Sequence, residues 1–92
     1  MMKKEELEKV LSLEIDAWAD KPYEELTQMR KPHCYSTDVD GISFNVEVQV
    51  LHVTSEYVQL SIAVDDGSGR WATCPVAKSM LIYSDGRVDK PD

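Results

Sequence analysis

The sequence predicts an α+β domain in which one long and one short N-terminal helix pack on one face of a four- to five-stranded antiparallel β-meander. Three observations lead to this prediction: an apolar stripe at helical spacing, a later change to two-residue alternation, and acidic–glycine pairs between the alternating segments. The 92 residues suffice for one hydrophobic core. We therefore expect a single domain over residues 1–92, helical over 1–31, with the sheet over 33–88 and a frayed tail over 89–92.

The N-terminal segment is predicted to form a long helix followed by a short one. The apolar stripe of the first helix comprises Leu7, Val10, Leu11, Ile15 and Trp18. Asp20-Lys21-Pro22 then interrupts the pattern and is typical of a new helix start, because the first helical turn tolerates proline. The apolar edge of the second helix comprises Tyr23, Leu26 and Met29. Pro32 ends that helix.

After His33 the apolar residues recur at every second position, which is the period of a half-buried strand. One alternating segment comprises Ile42, Phe44, Val46, Val48 and Val50, and the next comprises Val58, Leu60, Ile62 and Val64. Asp40-Gly41 precedes the first segment and is a preferred pair for a two-residue type I′ hairpin turn, in which both residues have positive φ. This turn would set Val39 opposite Ile42 and Tyr35 opposite Val46.

The same region also matches a calcium-binding loop. STDVDGISFNVE, residues 36–47, fits the pattern D-x-[DN]-x-[DN]-G-x5-E except that Ser36 replaces the first aspartate. A calcium loop needs a helix on each side and a glutamate that folds back onto the ion. On an extended strand Glu47 would lie about 20 Å from Asp40, at about 3.4 Å per residue. We therefore interpret the stretch as a turn and predict no metal site.

The remaining connections are predicted from face matching. A three-residue loop, Thr54-Ser55-Glu56, keeps Val50 opposite Leu60, whereas a two-residue loop would set apolar against polar positions. A longer loop that includes Val53 and Tyr57 is the alternative. Residues 65–70 (DDGSGR) are predicted to be a turn, followed by a strand over 71–74 and a connection over 75–78. Residues 80–83 then form a short strand, and Asp85-Gly86 a last hairpin turn.

The charge balance limits the class of partner. Ten Lys and Arg against seventeen Asp and Glu give a net charge of -7, which repels phosphate backbones and anionic lipid. We expect neither a nucleic-acid nor a membrane partner, and a basic protein partner is easier to accommodate. No apolar region follows Lys3 and Lys4 and no run approaches the length of a membrane span, so we expect no secretory signal and a cytoplasmic protein with Cys34 and Cys74 reduced.

The soft ligands available for chemistry are His33, Cys34, His52 and Cys74. In the predicted meander Cys34 and Cys74 lie roughly 14 Å apart, at about 4.8 Å per strand step, which is too far for a disulfide or a shared zinc ion. His33 and Cys34 are neighbours on one strand, so their side chains point to opposite faces. We assign no catalytic, cofactor-binding or metal-binding residues and expect no cofactor. A small thiol-dependent enzyme using Cys74 or Cys34 is the alternative function.

The outer face of the predicted sheet is polar over most of its length and becomes apolar at Leu51, Val53 and Tyr57. Apolar patches with an aromatic residue and a polar rim are typical of protein interfaces, so these residues are a candidate partner or dimer patch. Alternatively, the C-terminal stretch 80–83 or a second copy of the chain covers them. The expected function is a non-catalytic protein-interaction or regulatory module whose partner is a protein, basic or a second copy.

Overall fold

A computed structural model describes residues 4–65 and 76–91. Its elements are the helices α1 (Lys4–Ala19) and α2 (Tyr23–Thr27) and the strands β1 (His33–Val39), β2 (Ile42–Val53), β3 (Tyr57–Asp65), β4 (Val76–Tyr83) and β5 (Val88–Asp89). The strands form one antiparallel sheet in the order β1-β2-β3-β4-β5. The predicted α+β meander with a long and a short helix is therefore confirmed. Neither described helix is long and apolar enough to cross a membrane.

Both helices pack on the same face of the sheet. α1 lies over β3 and β4, and α2 lies over β2 and β3. The apolar stripe of α1 is buried over its whole length, from Leu7 at 0% exposure to Trp18 at 7%. Leu26 of α2 is also fully buried in this core. The alternating residues of β2 and β3 form the sheet side of the same core: they are Phe44, Val46, Val48, Val58, Leu60, Ile62 and Val64.

The Asp40-Gly41 turn is confirmed. Asp40 has φ 53° and Gly41 has φ 80°, the left-handed values that a type I′ turn requires. Val39 pairs with Ile42, and Tyr35 pairs with Val46, as the face matching predicts. Strands flank this turn on both sides, where a calcium loop would have helices.

The predicted three-residue loop, Thr54-Ser55-Glu56, connects β2 and β3, although the hydrogen bonds that close it were not predicted. Thr54 and Tyr57 close the turn, because the Thr54 N–H donates to the Tyr57 carbonyl at 2.8 Å. The Thr54 hydroxyl accepts hydrogen bonds from the backbone N–H groups of Glu56 and Tyr57, at 3.1 and 3.0 Å. Only two residues therefore lie between the closing pair.

A β-bulge resolves the mismatch of faces that closure by Thr54 and Tyr57 creates. Val50 still pairs with Leu60, as predicted, but the next pair is His52 with Gln59, so that Leu51 is an extra residue on β2. The side-chain period of a strand is two residues, and one extra residue restores the matching of faces. Beyond the bulge, Val53 pairs with the fully buried Val58.

The C-terminal half differs from the prediction in two respects. Val76 to Lys78 are not a connection: they begin β4, because Val76 lies opposite Val64 on the buried face and extends the ladder with β3. Asp89 belongs to β5, where it pairs with Leu81, and not to a frayed tail. The Asp85-Gly86 hairpin is confirmed, with Gly86 at φ 97°. The predicted strand over 71–74 and most of the predicted turn over 65–70 lie outside the described residues.

Candidate functional site

The sheet has a second face, which no described helix covers. We call it the outer face, and we define it by the strand residues whose neighbours along the chain point into the core. Its members are Cys34, Ser36 and Asp38 of β1, Ser43, Asn45, Glu47, Gln49 and His52 of β2, Tyr57, Gln59, Ser61, Ala63 and Asp65 of β3, Ala77, Ser79, Leu81 and Tyr83 of β4, and Asp89 of β5. These side chains are exposed or partly exposed, in contrast to the buried residues between them.

Aromatic rings gather at the end of the outer face beside the Thr54–Tyr57 turn. Tyr57 and Tyr83 are paired across β3 and β4, with ring centroids 5.9 Å apart in an edge-on arrangement. The His52 ring lies 6.0 Å from the Tyr57 ring, because the bulge places His52 opposite Gln59. The neighbouring Leu51 is 50% exposed. We call His52, Tyr57 and Tyr83 the aromatic corner.

Of the three predicted patch residues, Tyr57 belongs to this corner. Leu51 is the extra residue of the bulge at the same end of the sheet. Val53 does not join them, because its partner Val58 points into the helix-bearing core, so that Val53 lies on the other face although it is 46% exposed. The same bulge sets the face of both residues that follow it: Val53 lies on the helix-bearing face and His52 on the outer face.

Two members of the aromatic corner, His52 and Tyr83, were not predicted from the amino-acid sequence. A usable signal for Tyr83 existed in the apolar pattern of the C-terminal stretch. If Ile82 is set opposite Val58 on the buried face, Tyr83 must stand beside Tyr57 on the outer face. The signal for His52 was absent, since strict alternation places it on the buried face.

The charges that the described strand residues place on the outer face are of one sign. Its carboxylates are Asp38, Glu47, Asp65 and Asp89, and none of the described strand residues on this face is a lysine or an arginine. The Asn45 amide donates a hydrogen bond to Asp65 at 3.1 Å, which holds one of these carboxylates in place. The outer face is therefore an acidic surface with an aromatic end.

One cation borders the aromatic corner. The Arg87 guanidinium lies 4.4 Å from the Tyr83 ring centroid, within cation–π range, and its Nε lies 2.9 Å from a carboxylate oxygen of Asp85. The backbone N–H of Arg87, together with its side chain, lowers the pKa of the Asp85 carboxyl below its usual value. Arg87 thus interacts with two residues of its own hairpin, Tyr83 and Asp85.

Cys34 is exposed on the outer face and lies beside a carboxylate. Its Sγ lies 3.8 Å from a carboxylate oxygen of Glu47. An activated thiolate is held by an imidazolium or another cation. As predicted, His33 points to the opposite face, since it pairs with the buried Val48. Cys74 lies outside the described residues. In the part of the chain that the structure describes, His, Cys, Asp and Glu side chains form no group of three that could hold a metal ion.

A separate polar network ties α1 to the edge strand β1 on the helix-bearing face. The Trp18 indole N–H donates to the Tyr35 hydroxyl at 2.8 Å, and that hydroxyl donates to the Glu14 carboxylate. Burial, reinforced by the hydrogen bond to Glu14, raises the pKa of Tyr35 to about 12. The His33 ring lies 5.8 Å from Trp18 and 5.3 Å from Tyr35. This network orients Trp18, which the sequence predicts to be a core residue.

No family model matches this chain, and no curated protein or solved structure was found to be similar to it.

Proposed function

We propose that this chain is a non-catalytic interaction module that binds a basic segment of a partner protein on its outer face. The observation that carries the proposal is the charge pattern of that face: four carboxylates and, among its described strand residues, no lysine or arginine. Complementary charges accelerate association and select partners, so a segment rich in lysine or arginine fits this surface.

A second copy of the chain fits this surface less well. Two copies that met through their outer faces would bring like-charged carboxylates such as Glu47 and Asp65 together. Like charges across an interface oppose association, and the whole chain carries a net charge of -7. The proposal therefore commits to a basic protein partner, and self-association is an outcome that the experiment distinguishes.

The aromatic corner supplies the apolar part of this interface. Tyrosine rings bury a large area at a small cost in side-chain entropy, and interface energy concentrates in a few such residues. Tyr57 and Tyr83 are held edge-on at 5.9 Å, so their positions are set before a partner binds. A basic segment with an apolar residue beside its cations would place that residue at the corner and its cations along the strands.

The proposal includes a cytoplasmic location. An exposed free cysteine such as Cys34 fits a reducing compartment, where thiols stay unpaired. The glutathione-poised cytoplasm is such a compartment.

The direct experiment is an NMR titration of the ¹⁵N-labelled chain with a short synthetic peptide in which lysine alternates with leucine. We expect saturable shifts at outer-face residues such as Glu47, Tyr57 and Ser61. Binding should weaken with added salt, because the screening length falls from roughly 30 Å at 0.01 M to roughly 8 Å at 0.15 M. Glu47→Lys should weaken binding about tenfold by replacing an attraction with a repulsion.

The matched control is Glu8→Lys. Glu8 is an exposed residue of α1, on the opposite side of the sheet, and its reversal changes the net charge by the same amount. Equal weakening by both reversals would show that only total charge matters, and the proposal would be wrong. A dimer in sedimentation that Tyr57→Ser weakens and salt leaves unchanged would assign the outer face to a second copy.

A further inference from the structure

A cleft lies on the other side of the molecule, where the end of α1, the helix α2 and the start of β1 meet. Its volume is about 260 Å³. Trp18, Leu26 and Met29 form its apolar wall. Lys21, Lys31, His33 and Glu25 form its rim. These residues come from three elements and the two connections between them, so the cleft exists only in the folded chain.

Two lysines, Lys21 and Lys31, line this rim. Lys21 places its ammonium 5.0 Å from the Trp18 ring centroid. Within the described residues neither Lys21 nor Lys31 forms an ion pair, whereas Lys90 pairs with Asp16 at 2.9 Å. Two lysines against one glutamate give the lining an excess of positive charge in a chain whose net charge is -7. A local excess of positive charge beside an apolar wall favours the binding of an anion that has an apolar part.

We propose that this cleft binds a small organic anion, with a phosphate or carboxylate group on an apolar body. The anionic group would lie between Lys21 and Lys31, with the exposed His33 ring as a further donor. The apolar body would lie against Trp18 and Met29. Small-molecule sites usually measure roughly 300–1,000 Å³, so this cleft, just below that range, accepts a single-ring compound and excludes a nucleotide.

The orientation of Trp18 supports this assignment. Its indole N–H is bound by the Tyr35 hydroxyl at 2.8 Å, and the His33 ring meets it edge-on at 5.8 Å. Because these contacts fix the ring before any ligand arrives, the apolar wall is preformed, which reduces the entropic cost of binding. The cleft is separate from the outer face, so this inference is independent of the proposed function.

The test is an NMR titration of the ¹⁵N-labelled full chain with phenyl phosphate, benzoate, inorganic phosphate and phenol. The Trp18 indole resonance can be assigned with Trp71→Phe. We expect phenyl phosphate or benzoate to shift the Trp18 indole and the amides of Lys31 and His33 saturably, and to bind more tightly than inorganic phosphate or phenol. The stronger of the first two identifies the preferred anionic group.

Lys21→Ala and Lys31→Ala should each raise the dissociation constant about threefold, as expected for exposed ion pairs, and the double variant should raise it more. Lys9→Ala removes an exposed lysine of α1 outside the cleft and should leave the constant unchanged. Unchanged amide shifts elsewhere show that each variant is folded. The proposal is overturned by the absence of a saturable shift, by equal binding of the double variant, or by inorganic phosphate binding as tightly as phenyl phosphate.

Discussion

Replacing Tyr35 by phenylalanine removes a single hydroxyl that links α1 to the edge strand β1. Trp18 is only 7% exposed, so its indole N–H, which donates to this hydroxyl, would be left without an acceptor. A buried donor left unsatisfied costs about 1–3 kcal/mol. The Glu14 carboxylate is partly exposed and can hydrogen-bond to water instead, so the loss of its bond to Tyr35 adds little to the cost in stability. We therefore expect Tyr35→Phe to lower the free energy of unfolding by about 2 kcal/mol near neutral pH.

The same residue should make stability depend on alkaline pH. Burial, with the hydrogen bond to Glu14, raises the pKa of Tyr35 from 10.0 to about 12. The folded chain then holds this proton more tightly than the unfolded chain does. The stabilisation is therefore complete below pH 10 and is lost as the pH rises towards 12. Two pKa units correspond to about 2.7 kcal/mol, and because the side chain is partly exposed to solvent we expect about 1 kcal/mol.

Urea denaturation followed by circular dichroism measures both effects. The difference between the original chain and Tyr35→Phe should be about 2 kcal/mol at about pH 8 and about 1 kcal/mol smaller at about pH 11. Tyr57→Phe is the control, since the Tyr57 hydroxyl makes no hydrogen bond within the described residues. A difference that stays constant with pH, or a Tyr35→Phe chain as stable as the original, would refute the reasoning.

Two further changes test the turns of the sheet. Gly41→Ala should lower the free energy of unfolding by about 1–2 kcal/mol in urea denaturation, because Gly41 has φ 80° and a Cβ there would meet open space, so that backbone strain is the only cost. A substitution without loss would show that the turn has another conformation. Deleting Leu51 should change stability by less than about 1 kcal/mol, because Val50–Leu60 and His52–Gln59 then become consecutive pairs of a regular ladder. Deleting Ser61 from the regular strand β3 is the control. It should abolish cooperative unfolding, since β3 has no bulge that could compensate for the one-residue shift in register. Amide hydrogen exchange would contradict the bulge assignment if both deletions unfolded the sheet equally.

Features that repeat within one element were predictable from the amino-acid order. The apolar stripe of α1 recurs every three or four residues, and all five of its predicted members are buried. The hairpin of β1 and β2 was predictable for a similar reason, because Asp40-Gly41 selects a turn and the turn sets every pair from Val39–Ile42 onward. Each of these signals is local, so it needs no knowledge of what the element packs against.

The hydrogen bonding of the loop between β2 and β3 could not be predicted from the alternation of apolar residues. Face matching correctly required Val50 opposite Leu60, yet an odd loop and a two-residue turn with a bulge satisfy that requirement equally. The hydrogen bonds of the Thr54 side chain favour the shorter turn, and the bulge follows from it. As a consequence Val53, which was predicted to belong to the patch, lies on the helix-bearing face, and His52 lies on the outer face.

Periodicity thus predicts the buried faces of α1, β2 and β3, because burial repeats with the geometry of each element. The two candidate surfaces depend on the folded chain. Tyr83 stands beside Tyr57 only through the register of β3 with β4, and Lys21, Lys31 and His33 meet Trp18 only where three elements converge. Such neighbours are far apart along the chain or out of phase with any repeat, so packing between elements, and not the pattern within them, sets their positions.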